Sequence, residues 1–206
     1  MTLRKKLLIT IACLSVILCT LVTGTIAWLT AETTTITNTF TPSNISISLT
    51  ETTGGEYKMV PGTTIKKDPV VTVAANSEAC WLFVKVEEKL GAWVGNSAEF
   101  SNYLTYSVIT GSDGWTQLMD NNNNPVSGIY YREVGAFTTA QEFHVLVDDK
   151  ITVSPSVTKG MMDMLYNQDG SVKEAVLPTL TFTAYACQRE GFDSAAAAWT
   201  EITTNP

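Results

Sequence analysis

Charge and histidine are both scarce in this chain of 206 residues. Only 16% of the residues are charged, against roughly 25% in an average soluble domain. The single histidine, His144, cannot build a histidine-rich zinc site, and no HExxH pair occurs. Acidic residues outnumber basic ones by 20 to 13, so the net charge is −7 and the basic surface that nucleic-acid binding requires is missing. We therefore expect no nucleic-acid partner, no metal and no cofactor.

The first residues have the composition of a secretory leader. Arg4, Lys5 and Lys6 precede an apolar run over residues 7–22, and small residues lead up to Ala27. This pattern predicts a signal peptide over residues 1–27, cleaved between Ala27 and Trp28, and a secreted, extracellular or cell-surface protein. The alternative is a retained membrane anchor, because residues 7–29 are nearly long enough to span a bilayer. Membrane contact is expected only through an uncleaved leader.

Removal of the leader changes both the charge and the cysteine count. It takes away three basic residues and no acidic ones, which leaves 10 basic against 20 acidic residues, a net charge of −10. It also leaves only Cys80 and Cys187. Two cysteines in an exported chain predict one disulfide that closes a long loop. Two separate free thiols are the alternative, because both cysteines lie in apolar, strand-like segments.

The remaining chain has the two-residue periodicity of β-strands. Segments rich in β-branched and aromatic residues alternate with turn-forming clusters. The predicted strands cover residues 45–49, 70–73, 81–86, 103–109, 129–133, 142–147, 151–153 and 179–186. They predict an all-β fold, a jelly-roll-like antiparallel β-sandwich over residues 42–206, with one or two short helices. The helices are expected over residues 159–167 and 193–199, the second placing Trp199 and Ile202 against the sheet or over an edge.

No group of residues predicts catalysis. The asparagine-rich segment 120–125 is expected to be an exposed hairpin loop rather than a cation site. Adjacent acidic residues occur as Glu87-Glu88 and Asp148-Asp149. In strands such neighbours point to opposite faces, so they are expected to be solvated strand ends rather than an acid/base pair. His144 is expected to be a strand residue that faces solvent. We therefore predict that the protein is not an enzyme.

The segment that follows the predicted cleavage site, residues 28–41, is unusual. Seven of its fourteen residues are threonine, Glu32 carries its only charge, and Leu29, Ile36 and Phe40 are spaced apolar anchors. Such a composition favours an extended strand. This strand could pair with an open sheet edge of a neighbouring subunit. The alternatives are an edge strand of its own sheet and a flexible terminus.

Short motifs at both ends and in the middle of the chain resemble the TasA/camelysin family of exported Gram-positive proteins. These motifs are Thr-Gly-Thr-Ile-Ala-Trp-Leu at 23–29, Asn-Thr-Phe at 38–40, the alternating strand 45–49, Tyr-Lys-Met-Val-Pro-Gly at 57–62, Lys-Asp-Pro-Val at 67–70, and Phe-Thr-Ala-Tyr-Ala-Cys-Gln at 182–188 with Gly-Phe and an alanine helix after it. Residues 91–178 carry no such motif.

The resemblance implies a jelly-roll sandwich, processing by a SipW-type signal peptidase and assembly into extracellular biofilm fibres. It also implies that residues 28–41 act as a donor strand, which completes the sheet of the next subunit, so self-association into filaments is expected. One alternative is a monomeric cell-surface binding module whose aromatic residues contact glycans, with Trp93, Trp115, Tyr130 and Tyr131 as the candidates. Another is a camelysin-like surface metallopeptidase, for which the sequence offers only His144.

Overall fold

The computed structural model describes residues 3–27, 44–54, 57–93 and 99–204. The chain divides into two compact units, Met1–Thr41 and Pro42–Pro206. The first contains helix α1 (Leu3–Ala27), which ends at the residue before the predicted cleavage point. Trp28 lies outside the described residues, and cleavage stays a prediction.

Over the part of the chain that the structure describes, no helix combines the length and the apolar character needed to cross a membrane.

The second unit is built from strands with two short helices. The strands are β1 (Ile47–Thr50), β2 (Thr64–Lys66), β3 (Val70–Val73), β4 (Cys80–Lys89), β5 (Leu104–Thr105), β6 (Thr116–Met119), β7 (Pro125–Val134), β8 (Gln141–His144), β9 (Lys150–Val153) and β10 (Thr179–Gln188). The helices are α2 (Lys159–Asp163) and α3 (Ala195–Thr204). Every ladder between these strands is antiparallel.

The strands form two layers. One layer is the four-stranded sheet β10-β4-β7-β6, which holds the three longest strands. The other consists of two three-stranded sheets, β1-β3-β8 and β2-β9-β5. Backbone hydrogen bonds join these two sheets where the chain continues beyond β8 and β5, because the Val147 N–H donates to Ser107 O at 2.9 Å and the Ile109 N–H donates to Val145 O at 2.9 Å. They therefore act as one layer, which we call the short-strand layer.

The main hydrophobic core lies between the two layers. Alternate residues of β4, namely Cys80, Leu82, Val84 and Val86, are buried in it together with residues of both short-strand sheets. This arrangement follows from the two-residue period of the strand, which places every second side chain on the same face. The predicted fold class, an all-β antiparallel sandwich with short helices, is confirmed.

Helix α3 covers the outer face of the four-stranded sheet. Ala195 and Ala198 are buried there, and the Trp199 ring lies 5.2 Å from the Phe83 ring and 5.4 Å from the Tyr185 ring. Ile202 belongs to the same cluster. The placement predicted for Trp199 and Ile202 is confirmed. Because the first half of β4, residues 80–84, is covered on both faces, it has a continuous apolar sequence rather than an alternating one.

Several predicted elements differ from the structure. Strands β2 and β6 were not predicted, because they have only three and four residues, two of them polar in each, which is too few to display a period of two. The predicted strand 103–109 is reduced to β5 and one bridge between Val108 and Leu146. Helix α2 ends at Asp163, well before the predicted residue 167.

Asp148 and Asp149 also differ from the prediction. They lie in a turn with positive φ angles of 55° and 50°, not in a strand. The exposed hairpin loop predicted at 120–125 is confirmed, since Asp120 Oδ1 accepts hydrogen bonds from the N–H groups of Asn122 and Asn124, both at 2.8 Å.

We predict that Trp199→Ala lowers the free energy of unfolding by about 2–3 kcal/mol, below the range for a fully buried tryptophan because Trp199 is only partly buried. Urea denaturation followed by circular dichroism measures the change. Thr203→Ala, on the exposed side of the same helix, is the control and should change stability by less than about 0.5 kcal/mol. Equal effects of the two variants would contradict the docking of α3 through Trp199.

Candidate assembly edge

The two lateral sides of the sandwich differ in how their edge strands are closed. On the side of β5 and β6, the Trp115 N–H donates to Ile109 O at 2.7 Å, and Thr110 forms a bridge with Trp115. The Trp115 indole N–H also donates to His144 O at 2.9 Å. These bonds connect the β6 end of the four-stranded sheet to the short-strand layer, so this side is closed by the chain's own backbone.

The opposite side is bounded by β1 and β10. Strand β10 pairs with β4 along its whole length, from Thr179 opposite Lys89 to Gln188 opposite Cys80. Its other side has no backbone hydrogen-bond partner among the residues that the structure describes. Strand β1 lies beside β10, but no backbone hydrogen bond between these two described strands joins them. We call this side, formed by Ile47–Thr50 and Thr179–Gln188, the open edge.

The composition of β10 gives the open edge no protection against pairing. The strand is ten residues long, Thr-Leu-Thr-Phe-Thr-Ala-Tyr-Ala-Cys-Gln, without a charge, a proline or a glycine. Natural sheets usually protect such edges with charges, prolines, bulges or very short strands. The other edge strands follow this rule, because β1 has four residues, β5 has two, and β6 is irregular between Gln117 and Met119. Strand β10 is therefore the surface best suited to accept another strand.

Apolar side chains along the open edge are incompletely covered. Leu180, Ala184 and Ala186 of β10 border the main core but are only partly buried, as are Ile47 and Leu49 of β1. A strand placed along β10 would remove part of this apolar surface from water, which is favourable in free energy. The edge thus offers both backbone groups and an apolar border.

A polar cluster fixes the loop that leaves β1. The Lys67 side chain, only 9% exposed, places its Nζ atom 2.7 Å from both carboxylate oxygens of Glu51. The same ammonium lies 5.2 Å from the Tyr57 ring and 5.5 Å from the Phe182 ring of β10. Glu51 directly follows β1, so one cation links the end of β1 to β10.

Asp68, next to Lys67, holds the same loop from its other end. Its carboxylate accepts hydrogen bonds from the hydroxyl and the N–H of Thr52, the latter at 3.0 Å, and from the Thr53 hydroxyl at 3.0 Å. The Thr52 hydroxyl, together with Lys66 and Thr53, holds the pKa of Asp68 well below its usual range. Lys67 and Asp68 of the Lys-Asp-Pro motif thus hold residues 51–53, which follow β1, in place at one end of the open edge.

The predicted donor residues Leu29, Ile36 and Phe40 lie outside the described residues, and their role stays a prediction. Sequence reasoning identified a strand over 179–186 but not its position at an edge. The available signal was the uncharged run of residues 179–188, which the pairing order places in the terminal strand of the four-stranded sheet.

The cysteine prediction requires a correction. Cys80 is buried, Cys187 is partly buried, and both are free thiols rather than the predicted disulfide. They lie on adjacent strands, but Cys80 is opposite Gln188, and Cys187 is opposite Trp81. The one-residue offset turns Cys80 towards the main core and Cys187 towards α3, on the other face of the sheet. Burial raises the pKa of Cys80 to about 11 and also raises the pKa of Cys187.

The residues named for the alternative functions, a glycan-binding module and a metallopeptidase, are buried or partly buried, except for His144, whose side chain is half exposed. Trp93 and Trp115 are buried, with Trp93 donating its indole N–H to Met161 O at 3.0 Å, so neither can stack on a glycan. Tyr130 and Tyr131 are partly buried on opposite faces of β7. His144 ends β8, as expected with its side chain half exposed, and its Nδ1 atom lies 3.2 Å from Asp149 Oδ1. Among the described residues, no three His, Cys, Asp or Glu side chains are grouped to hold a metal ion.

Comparison of the chain with protein-family models, with curated proteins and with solved structures finds no match.

We predict that the exported protein, unfolded without reducing agent and treated with iodoacetamide, gains two carbamidomethyl groups, on Cys80 and Cys187. In the folded protein both should react slowly, because burial disfavours the reactive thiolate. Intact-mass spectrometry measures the number of groups, and a reduced sample is the control. A non-reduced chain that gains none, with the 80–187 linked peptides found after digestion, would contradict the register argument.

Proposed function

We propose that the protein is a secreted structural subunit of an extracellular fibre in a biofilm matrix or on the cell surface. After export and processing by a SipW-type signal peptidase, the segment 28–41 of one subunit would add to the sheet of the next. The observation that carries this proposal is the open edge, whose strand β10 is long and uncharged and has no partner on its outer side within the described residues. The sequence resemblance to the TasA/camelysin family points to the same function.

Simple energetics explain why the donor segment needs apolar anchors. Ordering one residue of a free segment costs about 1–2 kcal/mol of backbone entropy. Each backbone hydrogen bond that it forms returns only about 0.5–1.5 kcal/mol. These two contributions nearly cancel, so hydrogen bonds alone would hold the strand weakly. Burying a Leu, Ile or Phe side chain adds about 1.5–3 kcal/mol, so Leu29, Ile36 and Phe40 would decide the affinity.

The geometry of donation produces filaments rather than closed particles. The donor segment and the open edge are different parts of the subunit surface, so each contact is heterologous. A subunit that has donated its strand still offers its own edge to another copy. Contacts of this kind form open chains unless the rotation between subunits closes a ring.

We predict that deletion of residues 28–41, with the leader and its cleavage residues 1–27 retained, abolishes filaments and leaves a folded monomer. Among the described residues, those that form the core of the sandwich belong to the second unit, which gives the reason for expecting a folded product. Negative-stain electron microscopy and size-exclusion chromatography measure the outcome. Circular dichroism checks the fold. Filaments formed by the deletion variant would refute strand donation.

A charge at the edge should have the same effect without shortening the chain. Thr181 is exposed on β10 and lies opposite Glu87 of β4, so Thr181→Lys should leave the monomer folded. Its ammonium would be placed beside an added strand, and we expect the critical concentration for filaments to rise at least tenfold. Sedimentation of filaments over a concentration series measures it. Thr200→Lys, on the exposed side of α3, is the matched control and should assemble normally. Equal assembly of the two variants would exclude β10 as the edge.

A further inference from the structure

The ion pair between Lys67 and Glu51 combines two-point contact with shielding from water. The Lys67 Nζ atom donates to Oε1 and to Oε2 of Glu51, both at 2.7 Å, and the two side chains are only 9% and 21% exposed. A nitrogen in contact with both oxygens lies within about 3–3.5 Å of the carboxyl carbon, the separation of reacting atoms in a near-attack arrangement. Rotation of the carboxylate about its Cγ–Cδ bond, which is a soft torsion, presents its face to the nitrogen.

Two aromatic rings enclose this pair. The Lys67 Nζ atom lies 5.2 Å from the centre of the Tyr57 ring and 5.5 Å from that of the Phe182 ring. Phe182 is itself buried in the main core. Separated charges are costly to keep in such surroundings. Transfer of one proton from the ammonium to the carboxylate gives a neutral amine and a neutral acid, and the enclosure makes this transfer less costly than it is in water.

The neutral amine and acid are the forms that condense to an amide. The nitrogen attacks the carboxyl carbon, a new C–N bond forms, and one C–O bond breaks. Of the three ammonium protons, two leave with the departing oxygen as water and the third stays on the amide nitrogen, so no oxidant or other reactant is needed. Fixed contact replaces activation of the acid, because well-oriented groups in one molecule react with effective molarities of about 10⁵–10⁸ M.

We propose that Lys67 and Glu51 condense to an isopeptide bond once the chain has folded. The bond would replace two shielded charges by a neutral amide and would close residues 51–67 into a loop. It would lie just beyond the pair Thr50 and Val70, which ends the β1–β3 ladder. Because a cross-link restricts the unfolded chain, β1 would stay joined to the segment before β3 when its hydrogen bonds open. This modification is independent of the proposed function, since a single subunit contains every group that it needs.

Two exposed ion pairs of the same chain serve as internal controls. Lys159 contacts both carboxylate oxygens of Asp163, at 2.8 and 2.6 Å, but these side chains are 87% and 59% exposed. Lys66 lies 3.2 Å from Asp68, and its side chain is 63% exposed. Water solvates the charges of Lys159, Asp163 and Lys66, which favours the ionised forms. We expect both pairs to remain unlinked, so that the enclosure, and not contact alone, decides which pair reacts.

The experiment uses the full chain, purified in its folded form, with intact-mass spectrometry and peptide mapping after trypsin digestion. We expect most molecules to be lighter by one water than their sequence requires. The map should contain a branched peptide in which Glu51 is joined to Lys67 and cleavage after Lys67 is missing. A chain kept in denaturant from the moment of cell lysis and then refolded should gain the link with time after refolding begins.

One variant and one side reaction complete the design. Lys67→Arg keeps a cation beside Glu51 but has no amine, so it should have its full mass and no branched peptide; circular dichroism checks its fold. The Asp-Gly pairs at 113–114 and 169–170 can also lose one water by forming a cyclic imide, but this leaves no branched peptide. The peptide map therefore assigns the mass loss.

Three results would overturn the inference. A folded chain of full mass, with Lys67 cleaved normally by trypsin, would show that the pair stays ionic. A link between Lys159 and Asp163 to the same extent would show that the enclosure has no role. Equal linkage in a chain that is never released from denaturant would show that the folded geometry does not direct the reaction. Filament formation is measured separately, so failure of the proposed assembly would leave these outcomes unchanged.

Discussion

The ten-residue ladder between β4 and β10 is the constraint on which the rest of the structure depends. It fixes β10 at the end of the four-stranded sheet, because β4 uses its other side to pair with β7. It also places one face of both strands against the main core and the other face under α3. Both faces of β10 thus pack within the second unit, and its outer backbone edge has no partner among the described residues, which makes this edge the place where the proposed assembly would add a strand.

The local part of this fold could be predicted from the sequence, but its pairing order could not. Strands β4, β7 and β10 were predicted because they are long and rich in β-branched or aromatic residues. The order β10-β4-β7-β6 depends on contacts between residues far apart in sequence. For the same reason the disulfide prediction failed, since two cysteines in apolar strands look compatible until the register places them on opposite faces.

One half of the proposed contact, the donor segment, could be predicted from the sequence, whereas the other half, the acceptor strand β10, required the structure. The donor segment is a local property of residues 28–41, visible in their threonine content and spaced anchors. The acceptor is a property of topology, because the uncharged run 179–188 is unremarkable if its strand lies in the middle of a sheet. The position of β10 at an edge is what gives its low charge a role in the proposed association. The scarcity of charge therefore has a specific consequence at this edge.

The polar cluster around Lys67 fixes the end of β1 against β10, and so holds the shape of the open edge. A buried ion pair adds little net stability, because the cost of desolvating both charges offsets most of their attraction. Its geometry, however, is demanding: Lys67 contacts Glu51 beyond β1 and the Phe182 ring of β10 at the same time. Asp68 holds Thr52 and Thr53 in the same loop. In the proposed assembly, an edge fixed in this way would lose little entropy on binding, so more of the energy of the apolar anchors would remain for association.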